Sequence, residues 1–124
     1  MVRRLLLMAV LVAPLAGCGD SDDPAVELVD AESEILAVDN VFDPEDTTVE
    51  AGTTITFVNA GRNDHNVIPE DEDAEWAIPT QDFGPRGTAE YRFTEPGEYR
   101  YFCSIHGTID VGMVGTITVT TPGE

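Results

Sequence analysis

From Ile35 onward the chain is cut into short runs rich in Val, Ile, Thr, Phe and Tyr by Gly, Pro, Asp and Asn at hairpin spacing. Such residues suit a pleated, half-buried surface, and no stretch repeats its apolar positions at the interval of a helix. Strands are therefore predicted over 34–39, 47–50, 53–59, 65–68, 88–93, 98–102 and 114–120. Ile55, Phe57 and Asn59 fall on one face of their strand and Thr54, Thr56 and Val58 on the other; Ile117 and Val119 alternate with Thr116, Thr118 and Thr120 in the same way. Ala51-Gly52 and Glu95-Pro96-Gly97 supply turns between them. About seven short strands in roughly ninety residues predict an all-β, two-sheet sandwich or small barrel. The stretch 69–86 holds Glu70-Asp71-Glu72-Asp73, three prolines and the single tryptophan, and is expected to be a surface excursion pinned to the core by Trp76 and Ile78.

A chain of 124 residues has room for one such domain, placed at 35–121. The N-terminus has a different character. Met1-Val2-Arg3-Arg4 carries two positive charges and precedes an apolar run from Leu5 to Pro14, the layout of a secretory signal over 1–17. That run is shorter than the ~20 apolar residues needed to span a bilayer. It ends in Leu15-Ala16-Gly17-Cys18, which resembles the bacterial lipoprotein processing box and implies cleavage before Cys18 and lipidation of its thiol. Residues 18–34 are acidic and aperiodic, and read as a disordered, flexible tether. The expected location is extracytoplasmic, with the domain held to the cell membrane by the lipid on Cys18.

Charge narrows the partners. Loss of residues 1–17 leaves 4 Arg, no Lys and 24 Asp plus Glu, a formal charge of −20. Nucleic acid is excluded as a natural partner, because phosphate binding rests on Lys and Arg. Proteins with basic docking surfaces are favoured instead, in a salt-dependent way. The same acids also suit a plain solvated surface, and nothing in the pattern calls for more than a monomer.

With Cys18 lipidated, Cys103 has no disulfide partner in the chain. A leftover thiol in an exported protein needs burial or a metal to escape oxidation. The chain beyond Cys18 contains one Cys, two His and one Met: His65, then Cys103, His106 and Met113 close together at the junction of the last two predicted strands. Each alone has an ordinary structural role. Their conjunction, one thiol, two imidazoles and one thioether with none spare, is the donor set of a blue-copper centre: a His2Cys plane with a weak axial Met. Structural zinc sites use several thiolates and need no thioether.

These residues sit in further recognisable context: Phe57-Val58-Asn59 with Gly61, His65-Asn66-Val67, Tyr101-Phe102-Cys103-Ser104-Ile105-His106, and Gly112-Met113-Val114-Gly115. Over 35–120 the chain resembles the plastocyanin-like cupredoxins, including pseudoazurin and halocyanin. The resemblance implies a Greek-key β-sandwich binding one copper ion, cycling between Cu(II) and Cu(I), through His65, Cys103, His106 and Met113. It also implies that Asn66 braces the ligand loop by hydrogen bonds, and that His106 lies near the surface within a ring of Ile109, Val111 and Met113. Asp64 and Ile105 stand where the family often has Pro, and the stretch from His106 to Met113 is two residues longer than in plastocyanin and pseudoazurin.

The functional expectation is a type 1 copper, one-electron carrier serving redox partner proteins outside the cytoplasm. The alternative is a copper-buffering or delivery protein using the same ligands. An enzyme is not expected: no nucleophile-and-base or paired-acid arrangement stands out, and two histidines are too few for further copper centres.

Overall fold

The computed structural model describes residues 27–123. The signal segment, Cys18 and the tether up to residue 26 lie outside the described residues. Eight strands follow in order: β1 (Glu32–Val38), β2 (Val41–Asp43), β3 (Asp46–Glu50), β4 (Thr53–Asn59), β5 (Ile68–Pro69), β6 (Thr88–Phe93), β7 (Gly97–Gly107) and β8 (Gly112–Thr120), with one 3-10 turn at Thr80–Asp82 before β6. Among the described residues no helix is long and apolar enough to cross a membrane.

The strands form two four-stranded sheets, ordered β2-β1-β4-β6 and β3-β8-β7-β5. β1 runs parallel to β4, and β3 parallel to β8, while the remaining pairs are antiparallel. Early strands thus pair with late ones in both sheets, the connectivity of a Greek-key sandwich rather than a meander. Residues on the two inner faces alternate with outward polar ones, as the period of two requires. In β4, Thr53, Ile55, Phe57 and Asn59 are buried and the residues between them only partly so. In β8 the same holds for Met113, Gly115, Ile117 and Val119.

Between the sheets lies one core, containing Ile35, Ala37, Ile55, Phe57, Phe93, Tyr101, Met113 and Ile117. Each fully buried aliphatic or Phe side chain contributes roughly 1.5–3 kcal/mol relative to exposure. Trp76 and Ile78, 7 % and 6 % exposed, turn the 69–86 excursion into the core. Trp76 packs edge-on to Phe93 and Tyr101 at ring-centroid distances of 5.3 and 5.8 Å, and Val67 forms a bridge with Ile78.

The larger differences from the sequence reading are four. β1 begins at Glu32, so the last three residues assigned to the tether join the sheet, and Val29 N–H already donates to Ala51 O at 3.0 Å. β2 is an added strand, hairpinned onto β1 through Asp39, whose φ of 39° makes the turn. The strand expected over 65–68 shrinks to Ile68–Pro69, because the His65 N–H is engaged by Phe83 O rather than by a ladder. β7 runs on to Gly107, five residues past its expected end, with a register shift between Phe102 and Gly107. That irregularity places the next group of side chains.

Candidate metal centre

His65, Cys103 and His106 converge at one end of the sandwich, their donor atoms all within 4.8 Å of one another. The Cys103 Sγ lies 3.7 Å from His65 Nδ1 and 3.9 Å from His106 Nδ1. The two imidazole rings are tilted by 56° with centroids 4.9 Å apart. Cys103 and His65 are fully buried, and His106 is half-buried.

Three elements set this geometry. Cys103 and His106 sit in the irregular far part of β7, where the lost period of two lets side chains three apart turn to one side. His65 lies on non-strand backbone, fixed by its neighbours. Its N–H donates to Phe83 O at 3.1 Å, and the same carbonyl accepts from Asn59 Nδ2 at 2.9 Å. Asn59 Nδ2 also donates to Asn63 O, and Asn59 Oδ1 accepts from Gly61 N–H. Asn59 therefore ties down the whole turn that delivers His65. In sequence it is the last inward residue of a strand, and its polarity at a core position, within the Phe57-Val58-Asn59 and Gly61 context, was the available signal.

Asn66 reaches across to the other ligand strand. Its Nδ2 donates to Ser104 Oγ at 2.8 Å and to Thr80 Oγ1 at 3.1 Å, while its Oδ1 accepts from Ser104 N–H at 2.8 Å.

Met113 is fully buried, one residue beyond Gly112. Gly107 pairs with Gly112 across the β7–β8 hairpin, and Thr108 N–H donates to Val111 O at 2.8 Å. The lengthened stretch between His106 and Met113 is thus closed into a tight turn over 108–111, which returns the chain to the level of the ligands. A Cβ on Gly107 would stand 2.5 Å from Met113 N, and Gly112 holds a φ of 93°, so both positions require glycine. Of the ring expected around His106, Val111 is 71 % exposed and Ile109 half-buried, whereas Met113 faces the core; Ile105, 46 % exposed, adds an apolar side chain that the expectation did not include.

Burial, and then the charge of His106, hold the His65 imidazole below its ordinary value of 6.5. It is therefore neutral at pH 7, the state in which an imidazole nitrogen can bind a metal. Its Nε2 is buried without a hydrogen-bond partner among the described residues. One sulfur and two nitrogens, converging on a space shielded from water with one imidazole held neutral, fit a borderline-soft ion of the copper class.

The profile of copper binding proteins of the plastocyanin/azurin family matches residues 29–120. Plastocyanin from Scenedesmus fuscus is 37% identical over 87 residues, covering 64% of this chain and 86% of that protein. Chloroplastic plastocyanin from Physcomitrium patens is 33% identical over 86 residues, 64% of this chain; the chain spans only 50% of that relative's length. Among solved structures, a purple cupredoxin from Nitrosopumilus maritimus superposes with a TM-score of 0.60 at 24% identity, over 71% of this chain and 99% of that one. The last likeness concerns the fold.

Proposed function

The chain belongs to the plastocyanin/azurin family of copper binding proteins, and we propose that it is a one-electron carrier working outside the cytoplasm, with copper held by His65, Cys103, His106 and Met113. The observation that carries this reading is the Cys103 thiol, fully buried and flanked at 3.7 and 3.9 Å by imidazole nitrogens from two separate segments. Bound copper supplies the Cu(II)/Cu(I) couple.

The protein's own part is to hold thiolate and imidazoles in a geometry that suits both oxidation states. Strand β7, the Asn59 network and the Asn66–Ser104 bonds fix the donors before a metal arrives, so little rearrangement accompanies loss or gain of an electron. Burial of Cys103 keeps the sulfur from oxidation and excludes water from the centre. His106 is the ligand nearest solvent, and the exposed Ile105 and Val111 beside it offer an apolar surface against which a redox partner can seat. An anchor at Cys18 would confine that encounter to the membrane face; this part of the reading rests on Leu15-Ala16-Gly17-Cys18 alone.

The test is the visible spectrum and voltammetry of the protein after addition of Cu(II). An intense thiolate-to-copper band and a reversible wave are expected, and Cys103→Ser removes both. Absence of the band in the wild-type chain would sink the proposal. A band without a reversible wave, together with rapid surrender of copper to a chelator, would identify a copper buffer instead.

A further inference from the structure

Away from the metal centre, the 70–76 segment and the β6–β7 hairpin enclose a half-open cavity of about 630 Å³. Its size falls within the roughly 300–1,000 Å³ of small-molecule sites. Four aromatic residues line it: Tyr91 and Tyr99, half-buried, with Trp76 and Phe93 buried behind them. They are mutually braced edge to face, Tyr91 to Phe93 at 5.0 Å, Phe93 to Tyr99 at 5.1 Å and Trp76 to Phe93 at 5.3 Å. The walls carry Glu70, Asp71, Asp73, Glu75, Glu95 and Glu98. The only basic side chain in the lining, Arg100, is already engaged by Glu70 at 3.1 Å, by Asp110 at 3.5 Å and by the Ile109 carbonyl at 2.9 Å. The other five carboxylates have no salt-bridge partner among the described residues.

We propose that this cavity is a binding site for a small organic cation of the alkylammonium class. The argument joins two independent properties of the lining. Aromatic rings attract a cation whose charge is spread over an apolar body, because the ring face is negative and the body is desolvated at little cost. Carboxylates around them supply the field that selects positive over neutral ligands. A bare metal ion would gain the field but not the rings; a neutral molecule of the same shape would gain the rings but not the field. A free small molecule is favoured over a lysine side chain from a partner, which would fill only a small part of this volume. The site is independent of the copper reading, since none of its lining residues is a proposed ligand.

The chain's single tryptophan lines the cavity, so its fluorescence is the readout. The full protein, copper-loaded and reduced, is titrated with tetramethylammonium chloride at constant ionic strength made up with NaCl. A saturable change in Trp76 emission is expected, absent with NaCl alone and with tert-butyl alcohol. Tyr91→Leu, at a half-buried position, weakens the midpoint roughly two- to fivefold. Glu98→Lys places an ammonium in the site and weakens it about tenfold or more, while Glu34→Lys, exposed on β1 with the same change in net charge, leaves it within twofold. An equal response to NaCl or tert-butyl alcohol, or equal weakening by Glu98→Lys and Glu34→Lys, would overturn the proposal, the latter by showing only a diffuse ion atmosphere.

Discussion

Asn66 and Ser104 exchange two hydrogen bonds of 2.8 Å each: the Asn66 amide donates to the Ser104 hydroxyl, and the Ser104 N–H donates back to the Asn66 carbonyl oxygen. Each residue stands next in sequence to a proposed copper ligand, Asn66 after His65 and Ser104 after Cys103. The pair therefore joins the two segments that the chain must bring together over 38 residues.

Removing that brace by Asn66→Ala leaves the Ser104 N–H without its partner and loosens His65 relative to Cys103. A loss of about 1–3 kcal/mol of stability is expected, with copper binding weakened by about 10- to 100-fold and the thiolate band retained at lower intensity. Urea unfolding of the metal-free protein and competition with a chelator measure the two effects separately. Ser104→Ala, which keeps the backbone N–H bond, should cost less in both.

Met113 is the axial candidate and also a core residue, and the two roles separate by substitution. Met113→Leu conserves volume and should change stability by less than about 1.5 kcal/mol, whereas Met113→Ala opens a cavity and costs about 2–5 kcal/mol. If the thioether tunes the centre, Met113→Leu keeps the colour and shifts the reduction potential. A spectrum and potential indistinguishable from wild type would remove Met113 from the ligand set.

The grouping of His65, Cys103 and His106 was legible in the sequence because its chemistry lies in residue type: beyond Cys18 the chain holds one thiol, two imidazoles and one thioether, and their order permits few arrangements. β4 and β6 were legible to the residue, since alternation ends cleanly at Asn59 and Phe93 and turn residues follow. β2 was not, because three residues between a tight turn and Pro44 carry too little pattern. Nor was the extension of β7: the register shift after Phe102 destroys the period of two over the very residues that turn Cys103 and His106 together. The closing of 108–111 by the Gly107–Gly112 pair and the bracing of His65 through Asn59 depend on contacts between distant segments, which no local pattern encodes.

Tyr101 is buried in the core against Phe42 and Phe57, at ring distances of 4.8 and 5.6 Å, and its hydroxyl has no hydrogen-bond partner among the described residues. Tyr101→Phe should therefore be neutral or stabilising at pH 7, by up to about 1 kcal/mol. It should also alter the alkaline limit. Burial, and then the charges of Asp46 and Glu45, push the Tyr101 phenol far above its ordinary value of 10.0. An unfolded chain releases that proton near pH 10 while the folded one retains it, so its contribution is complete below pH 10 and is lost as pH rises further. The loss approaches about 1.4 kcal/mol per pH unit for one such group. Denaturant unfolding at pH 8 and pH 11 should show a smaller alkaline drop in Tyr101→Phe than in wild type; equal drops would assign the effect elsewhere.

Arg100 links the excursion after β5 to the turn that precedes Met113. One guanidinium nitrogen meets Glu70 at 3.1 Å, and the other donates to Ile109 O at 2.9 Å and approaches Asp110 at 3.5 Å. The ion pairs are partly exposed and contribute little in themselves, on the order of 0–1 kcal/mol. The bond to the Ile109 carbonyl has a different consequence, because it restrains a turn longer than the family pattern and so limits how far Met113 can drift from His106. Lysine keeps the charge but has no planar fork, so it cannot serve Glu70 and Ile109 in the same geometry. Arg100→Lys and Arg100→Met should therefore leave global stability within about 1 kcal/mol of wild type. Both should release copper to a chelator severalfold faster, and the arginine protein alone should release it faster as salt rises and screens the clamp. Equal release rates in all three proteins would show that the 108–111 turn is held by its own Thr108–Val111 bond and not by Arg100.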